Sequence, residues 1–542
     1  MRTLLVLMLL SSTASAQPAK IDAIMKPWTG TATPGCAVGV VQKGKVTHAK
    51  GYGMADLERK VPITPSTLFD IGSTSKQFTA ANILMLAAEG KLKLDDDIRT
   101  YLPELPVLTK KPVTIRHLMH HSGGLRDYMP LLGVRGKRIE DVTTSKETVE
   151  ALARQKGVDF EPGAKFEYSN TGYFLLAQIA ERADKRPFRE QVTARIFKPV
   201  GMTTSQIFDD HHRIIPGRAL GYGPAEPSGW RFDTSQWEQT GDGSVITSVV
   251  DLAKWDAHFY APKIGGGKAL LDAQLEKGKL ADGKELDYAA GLFHQKFRDQ
   301  AVVAHGGAWA GFRAELIRFP ALKTSVMVLC NAASSDPGKI ARDIAVVVLD
   351  KQLGPKPAPP PPPAAAITLT PTELDAWAGR YRETTSGEVI VVRRDGAKLV
   401  VEAGGTHPLE PTSKSVFRLG PSPFRLEFAG TAPKRTAGLR GPREENFVEV
   451  GGSYKPTAAE IAALAGRYWS SELAVLWTIR IEKGAAVIDV FDQTGLPLEM
   501  TGKDEIASTK GGIGLTIQRG PRGIRGLAAS AFGVRGIVFE RL

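Results

Sequence analysis

Phe69-Asp70-Ile71-Gly72-Ser73-Thr74-Ser75-Lys76-Gln77-Phe78-Thr79-Ala80 is the stretch on which the reading of this chain turns, because it sets a serine three residues before a lysine. Positions three apart share one face of a helix. Ile83, Leu84, Leu86 and Ala87 carry an apolar helical pattern on to Gly90, a natural C-terminal stop. The spacing therefore predicts that Ser73 begins a buried helix with Lys76 beside it. It is the only Ser-x-x-Lys in the 542 residues. A serine hydroxyl is a poor nucleophile at neutral pH and needs a base and a charge that favour proton loss; a lysine in a dry pocket supplies both. A motif this short arises by chance in a chain of this length, so its partners decide its meaning.

Ahead of this stretch, residues 1–16 read as a secretory signal peptide. Arg2 is the basic start, Leu4 to Leu10 the apolar run and Ala14-Ser15-Ala16 the small-residue cleavage site, so the mature chain is expected to begin at Gln17. No later run reaches the roughly 18 uninterrupted apolar residues of a membrane span. The expectation is a periplasmic or secreted protein without a transmembrane segment. Cys36 to Val41 and Lys45 to Ala49 alternate about Lys43-Gly44 and predict a β-hairpin.

Beyond the Ser73 helix come a polar connection (Leu92 to Tyr101), a short helix (Val113 to His121) and the turn-rich Ser122-Gly123-Gly124-Leu125-Arg126-Asp127-Tyr128, whose composition suits a cleft wall. Helical spacing returns over Tyr173 to Ala183 and Asp251 to Phe259. Gly291 to Gln295, Val302 to His305, Phe312 to Phe319 and Thr324 to Leu329 read as successive antiparallel strands, and Lys339 to Leu353 as a closing helix. An early hairpin and several late strands imply one sheet assembled from both ends of an α/β (α+β) domain spanning residues 17–353.

With 42% apolar composition the chain is long enough for several packed domains. Gly354 to Pro363 holds seven prolines in ten positions, so 354–366 is expected to be an extended linker. Past it lie short alternating runs such as Glu388 to Arg393, Lys398 to Glu402 and Arg425 to Phe428. The tail also repeats itself: Pro371-Thr372 leads to Ala378-Gly379-Arg380-Tyr381, and Pro456-Thr457 to Ala465-Gly466-Arg467-Tyr468, 87 residues on from Gly379 to Gly466. Two small antiparallel β-barrels, 367–453 and 454–542, fit units of that size.

The net charge is +12, but Lys and Arg are scattered and no nucleic-acid motif with interleaved aromatics is present, so the basic excess reads as solvating the surface or as suiting anionic envelope polymers. Of the ten histidines, His120-His121 and His211-His212 are adjacent pairs expected to point to different sides, without the spacing of a zinc helix; no metal and no cofactor are predicted. Gly265-Gly266-Gly267-Lys268 lacks the leading glycine of a phosphate loop, and no Gly-x-Ser-x-Gly elbow exists. Cys36 and Cys330 lie in strand-like runs and read equally as one bridge or as two buried thiols.

Two further motifs follow Ser73 and Lys76: Tyr168-Ser169-Asn170 ahead of a helix, and His305-Gly306-Gly307-Ala308 in a strand. In this order the three resemble the Ser-x-x-Lys, Tyr-x-Asn and Lys/His-x-Gly elements of the serine β-lactamase and penicillin-binding family, class C branch. Within it the chain is most similar to D-stereospecific aminopeptidases with two C-terminal barrels, through Ser122 to Tyr128, His305 to Ala308 and Gly466-Arg467-Tyr468-Trp469-Ser470-Ser471-Glu472-Leu473.

The resemblance implies catalytic roles for Ser73 (acylated nucleophile), Lys76 and Tyr168 (proton transfer, with the acylation base left open between them) and His305 at the cleft. It implies substrate binding by Asn170, Gly306, Gly307 and Ala308. The backbone N–H groups of Ser73 and Ala308 are the expected oxyanion donors. It also implies that Cys36 and Cys330 sit on neighbouring strands. Gly306 offers neither the charge nor the hydroxyl with which a Lys-Thr pair holds a carboxylate, and Ser508 to Ile517, where a barrel loop would meet a substrate amine, has no Asp or Glu. The function expected is an exported serine hydrolase that cleaves small peptides or amides through an acyl-enzyme, acting as an aminopeptidase on D-amino-acid peptides, with cell-wall fragments among its candidate substrates. The alternatives are a family VIII-type carboxylesterase, a β-lactamase or DD-peptidase of the same fold, and a penicillin-binding envelope protein with little turnover. Oligomeric state is left open.

Overall fold

The computed structural model describes residues 11–355, 367–384, 389–402, 406–420, 422, 424–441, 444–450, 454–491, 493–508, 513–531 and 534–542. The apolar run of the expected signal and most of the proline-rich linker lie outside these residues. The described chain forms two compact units. One takes the chain through Leu125, then Ile139–Ala153 and Val158 to the linker; the other takes Arg126–Arg138, Arg154–Gly157 and the tail.

In the first unit the elements that matter are α1 (Ser11–Ile24), β1 (Cys36–Gln42), β2 (Lys45–Tyr52), α2 (Lys76–Ala88), α3 (Ile115–Met119), α4 (Asn170–Asp184), α5 (Val249–His258), β3 (Phe293–Phe297), β4 (Gln300–Trp309), β5 (Phe312–Phe319), β6 (Thr324–Cys330) and α6 (Pro337–Leu349). The expected junction after Ala16 falls inside α1. The sheet runs β3-β4-β5-β6-β1-β2, antiparallel throughout, so the early hairpin does close the edge begun by the late strands.

Alternation along each strand sorts the two faces. Val38 and Val40 of β1 and Val326 and Val328 of β6 share one core with Ile21 of α1 and Ile344 of α6. Gly39, on the opposite face, lies close under α5, with Val249 Cβ 3.1 Å from where a Cβ of its own would be. Cys36 pairs in register with Cys330, the Cα atoms 4.0 Å apart, and the two form a disulfide. Between the two sequence readings the bridge holds, because a directly opposed antiparallel pair brings Cβ atoms into bonding range.

The second unit contains two closed eight-stranded antiparallel barrels, one from Gly379–Glu383 to Glu445–Val450 and one from Gly466–Ser470 to Val534–Arg541. The repeat in the tail has a local cause. Thr370 and Thr457 each cap a short helix by a reciprocal capping box, with Glu373 and Glu460. Eleven residues on, the Tyr381 and Tyr468 hydroxyls donate back to the carbonyls of Trp377 and Leu464. The equivalent positions are thus the capping threonines, not the Pro-Thr dipeptides that the sequence first suggests. Within this unit Arg126 donates to Glu472 at 2.7 Å, both side chains buried, joining two of the stretches that carried the aminopeptidase resemblance.

No helix of the described residues is long and apolar enough to cross a membrane.

Candidate active site

Ser73 does not lie in the α-helix proper. It sits in a 3-10 turn, Gly72–Ser75, that feeds α2 at Lys76. Gly72 makes this turn possible: its φ is +48°, and a Cβ there would stand 2.7 Å from the backbone nitrogen of Ala308. The Gly72 N–H is held by Asp70 Oδ1 at 2.8 Å. Burial pushes the Asp70 carboxyl above its usual range. From the other side the Thr74 hydroxyl donates to the His305 carbonyl at 3.1 Å, and a Cβ on Gly307 would lie 1.8 Å from the Ile71 carbonyl oxygen and 3.1 Å from the Ser73 nitrogen. Only glycine lets β4 come this near. These approaches bring the Ser73 and Ala308 amides together at the open side of the turn, where Ser73 is half-buried and Ala308 exposed.

Lys76 is fully buried, and its Nζ donates to Ser73 Oγ (3.0 Å), Asn170 Oδ1 (2.9 Å) and the Asp242 carbonyl (2.8 Å). Three acceptors match the three protons of an ammonium. The Tyr168 ring lies 5.0 Å and the Tyr173 ring 5.6 Å from the same nitrogen. Asn170 opens α4, but its side chain turns to Lys76 rather than capping the helix. The Tyr168 hydroxyl is buried and has no hydrogen-bond partner among the described residues.

His305 projects from β4 into an aromatic cluster with Tyr168, Tyr288 and Phe293. Its Nδ1 lies 2.7 Å from the Gly306 carbonyl, so Nδ1 carries the proton and donates; Nε2 then accepts from the Tyr288 hydroxyl at 3.2 Å. Burial, with the Lys76 cation adding to it, lowers the imidazole to about 3. The ring is a neutral, fully engaged wall.

The structure thus brings Ser73, Lys76, Tyr168, Asn170, His305, Gly306, Gly307 and Ala308 into one site. Reading the motifs missed three participants. The Asp242 carbonyl contributes through its backbone and leaves no side-chain signal. Tyr288 is an isolated tyrosine in a loop. His121 had been set aside as one of an adjacent pair. The other pair is corrected outright: the His211 and His212 rings lie on the same side, 3.8 Å apart, and with Asp210 bring ligand-type atoms within 4.8 Å of one another. His211 Nδ1 pairs with Glu238 at 2.7 Å.

The family profile described as beta-lactamase matches residues 19–351. The chain belongs to the beta-lactamase family. Among curated relatives of this beta-lactamase-family chain, a D-aminopeptidase of Gluconobacter oxydans (strain 621H) is 31% identical over 302 residues, 56% of this chain and 56% of its own. A D-aminopeptidase of Cereibacter sphaeroides is 27% identical over 471 residues, covering 86% of this chain and 84% of its own. The first match spans little more than half of that relative's length; the second takes in most of the tail. Among solved structures, the octameric penicillin-binding protein homologue from Pyrococcus abyssi superposes with a TM-score of 0.56 at 24% identity, over 80% of this chain and 99% of that one. It shows the shared fold.

Proposed function

We propose that this chain is an exported serine hydrolase that cleaves amide bonds through an acyl-enzyme on Ser73, and that it acts as an aminopeptidase on short peptides containing D-amino acids. The observation that carries the chemistry is the Ser73 Oγ to Lys76 Nζ hydrogen bond of 3.0 Å, made by a fully buried lysine whose nitrogen lies 5.0 Å from the Tyr168 ring centre. The two D-aminopeptidase relatives support the substrate class. The basic, apolar and small-residue order of residues 2–16 supports export.

In this reading Ser73 Oγ bonds to the scissile carbonyl carbon while its proton passes to the Lys76/Tyr168 pair. The oxyanion is held by the Ser73 and Ala308 N–H groups, and the N-terminus of α2 adds favourable potential. Collapse of the tetrahedral species breaks the C–N bond, and the leaving amine takes the proton. Water then attacks the ester and regenerates Ser73. His305, neutral and with both nitrogens engaged, shapes the cleft beside these steps.

The test is a substrate panel: D-Ala and L-Ala anilides, a short-chain aryl ester and a chromogenic cephalosporin, compared by kcat/KM. The D-anilide is expected to lead by more than about tenfold, and N-acetylation is expected to abolish its turnover. If the aryl ester leads and acetylation changes nothing, the esterase reading replaces this one. Ser73→Ala is expected to abolish turnover and phosphonate labelling, and Lys76→Ala to lose on the order of a hundredfold or more. Labelling that persists on another serine refutes the assignment.

A further inference from the structure

Tyr168 is gripped through the residues on either side of it by one buried histidine. The Glu167 N–H donates to the His121 carbonyl at 2.9 Å, and the Ser169 N–H donates to His121 Nδ1 at 3.1 Å. The His121 ring lies against the Tyr168 ring, centroids 4.2 Å apart and tilted by 32°. Backbone, side-chain nitrogen and ring face of a single residue therefore fix positions 167, 168 and 169.

The state of the imidazole follows from the same contacts. Because Nδ1 accepts a hydrogen bond, the proton of the neutral ring is on Nε2. Burial, then the nearby Lys76 and His305, hold the imidazole well below its usual range, which favours the neutral ring that the Ser169 contact requires. His121 is 2% exposed and packs also against Tyr173 and Tyr288, at 5.1 and 4.6 Å between centroids. It does this from a left-handed backbone conformation, φ +53°, which a non-glycine residue adopts at a cost and which persists only where the surroundings hold it.

Resting on the hydrolase reading above, we infer that His121 is a positioning residue for Tyr168, setting the place of the phenol hydroxyl relative to Ser73 and Lys76 without itself touching substrate. A histidine that merely filled the core would need neither the Ser169 hydrogen bond nor its particular ring face. The hydroxyl of Tyr168 has no described hydrogen bond of its own to locate it, so its position depends on what holds the backbone and ring.

The experiment uses the full-length chain and the D-Ala anilide, with phosphonate labelling of Ser73 as a second readout. His121→Phe keeps an aromatic ring and removes the acceptor for Ser169; His121→Asn restores an acceptor and removes the ring. His121→Phe is expected to lower kcat by on the order of tenfold to a hundredfold while KM stays within about threefold, the pattern of a misplaced reacting group. His121→Asn is expected to recover part of that loss. In a Tyr168→Phe background either substitution is expected to cost less than about threefold more. Wild-type kcat in a folded His121→Phe enzyme overturns the inference. So do losses that multiply fully with Tyr168→Phe, or losses that follow melting temperature alone in both variants. If His121→Phe does not fold, the Asn variant and its double mutant decide. The hydrolase reading fails separately, through activity surviving in Ser73→Ala.

Discussion

Lys76 Nζ is held by Ser73, Asn170 and the Asp242 carbonyl, and His305 has both ring nitrogens engaged, by Gly306 and Tyr288. His305 protonates only near about 3 when folded, against the ordinary 6.5 in an unfolded chain. Between those values the unfolded state binds the extra proton. The neutral ring's contribution to stability is therefore complete above pH 6.5 and drains away as pH falls toward about 3. His305→Phe is expected to lose less stability than the wild type between pH 7 and 4, measured by urea midpoints, and to leave the shape of the kcat/KM profile unchanged. A limb that vanishes in the variant would give His305 a proton-transfer role. The residues proposed to carry the chemistry were legible because they fall in spaced motifs. His121 and Tyr288 were not, since their part depends on which rings meet in space, and Asp242 acts through a carbonyl any residue possesses.

At the level of elements, β4 and the Gly72 turn form the site by close approach of two backbones. Gly307→Ala is expected to reduce kcat/KM by at least about a hundredfold, because its methyl must displace the Ile71 carbonyl and with it the Ser73 amide proposed as an oxyanion donor. Gly306→Ala, on the other face, meets the Glu315 carboxylate end at 2.8 Å and the Ala314 carbonyl only at an ordinary 3.5 Å, and is expected to cost far less, since a side-chain terminus can swing aside. Equal losses in the two would contradict this account. Strand periodicity gave the sheet well: the sequence placed strands at Phe312 to Phe319 and Thr324 to Leu329, and the structure has Phe312–Phe319 and Thr324–Cys330. The edges went astray where backbone geometry overrode pattern. The strand expected from Gly291 starts at Phe293, because the chain turns at Gly291 (φ +75°), where a Cβ would stand 2.6 Å from the Gln77 backbone. The helix expected to begin at Ser73 starts three residues later, because a tight turn at Gly72 is what presents the hydroxyl.

For the molecule as a whole, the two barrels were legible in the tail, since a repeated Gly-Arg-Tyr needs no tertiary knowledge. The attachment of Arg126–Arg138 and Arg154–Gly157 to the barrel-containing unit was not legible, as nothing in their composition differs from the loops around them. Limited proteolysis is expected to cut first within Gly354 to Ala366, where seven of the first ten residues are proline. The N-terminal fragment should then carry the phosphonate label on a denaturing gel. First cleavage inside either barrel would place the weakest segment elsewhere.

The strand order has a consequence for how the protein is made. β1 and β2 emerge early, yet β1's other neighbour, β6, is separated from the hairpin by more than half of the hydrolase domain. At ribosomal rates of about 5–20 residues per second the roughly 270 residues between Tyr52 and Thr324 take on the order of 15–55 s to appear. Throughout that interval the apolar, valine-rich β1 has an unpaired edge, the kind of template other chains can extend. A newly made chain would thus depend on holdase chaperones until Thr324–Cys330 arrives to complete the sheet, and Cys36 remains a thiol without its partner for the same span.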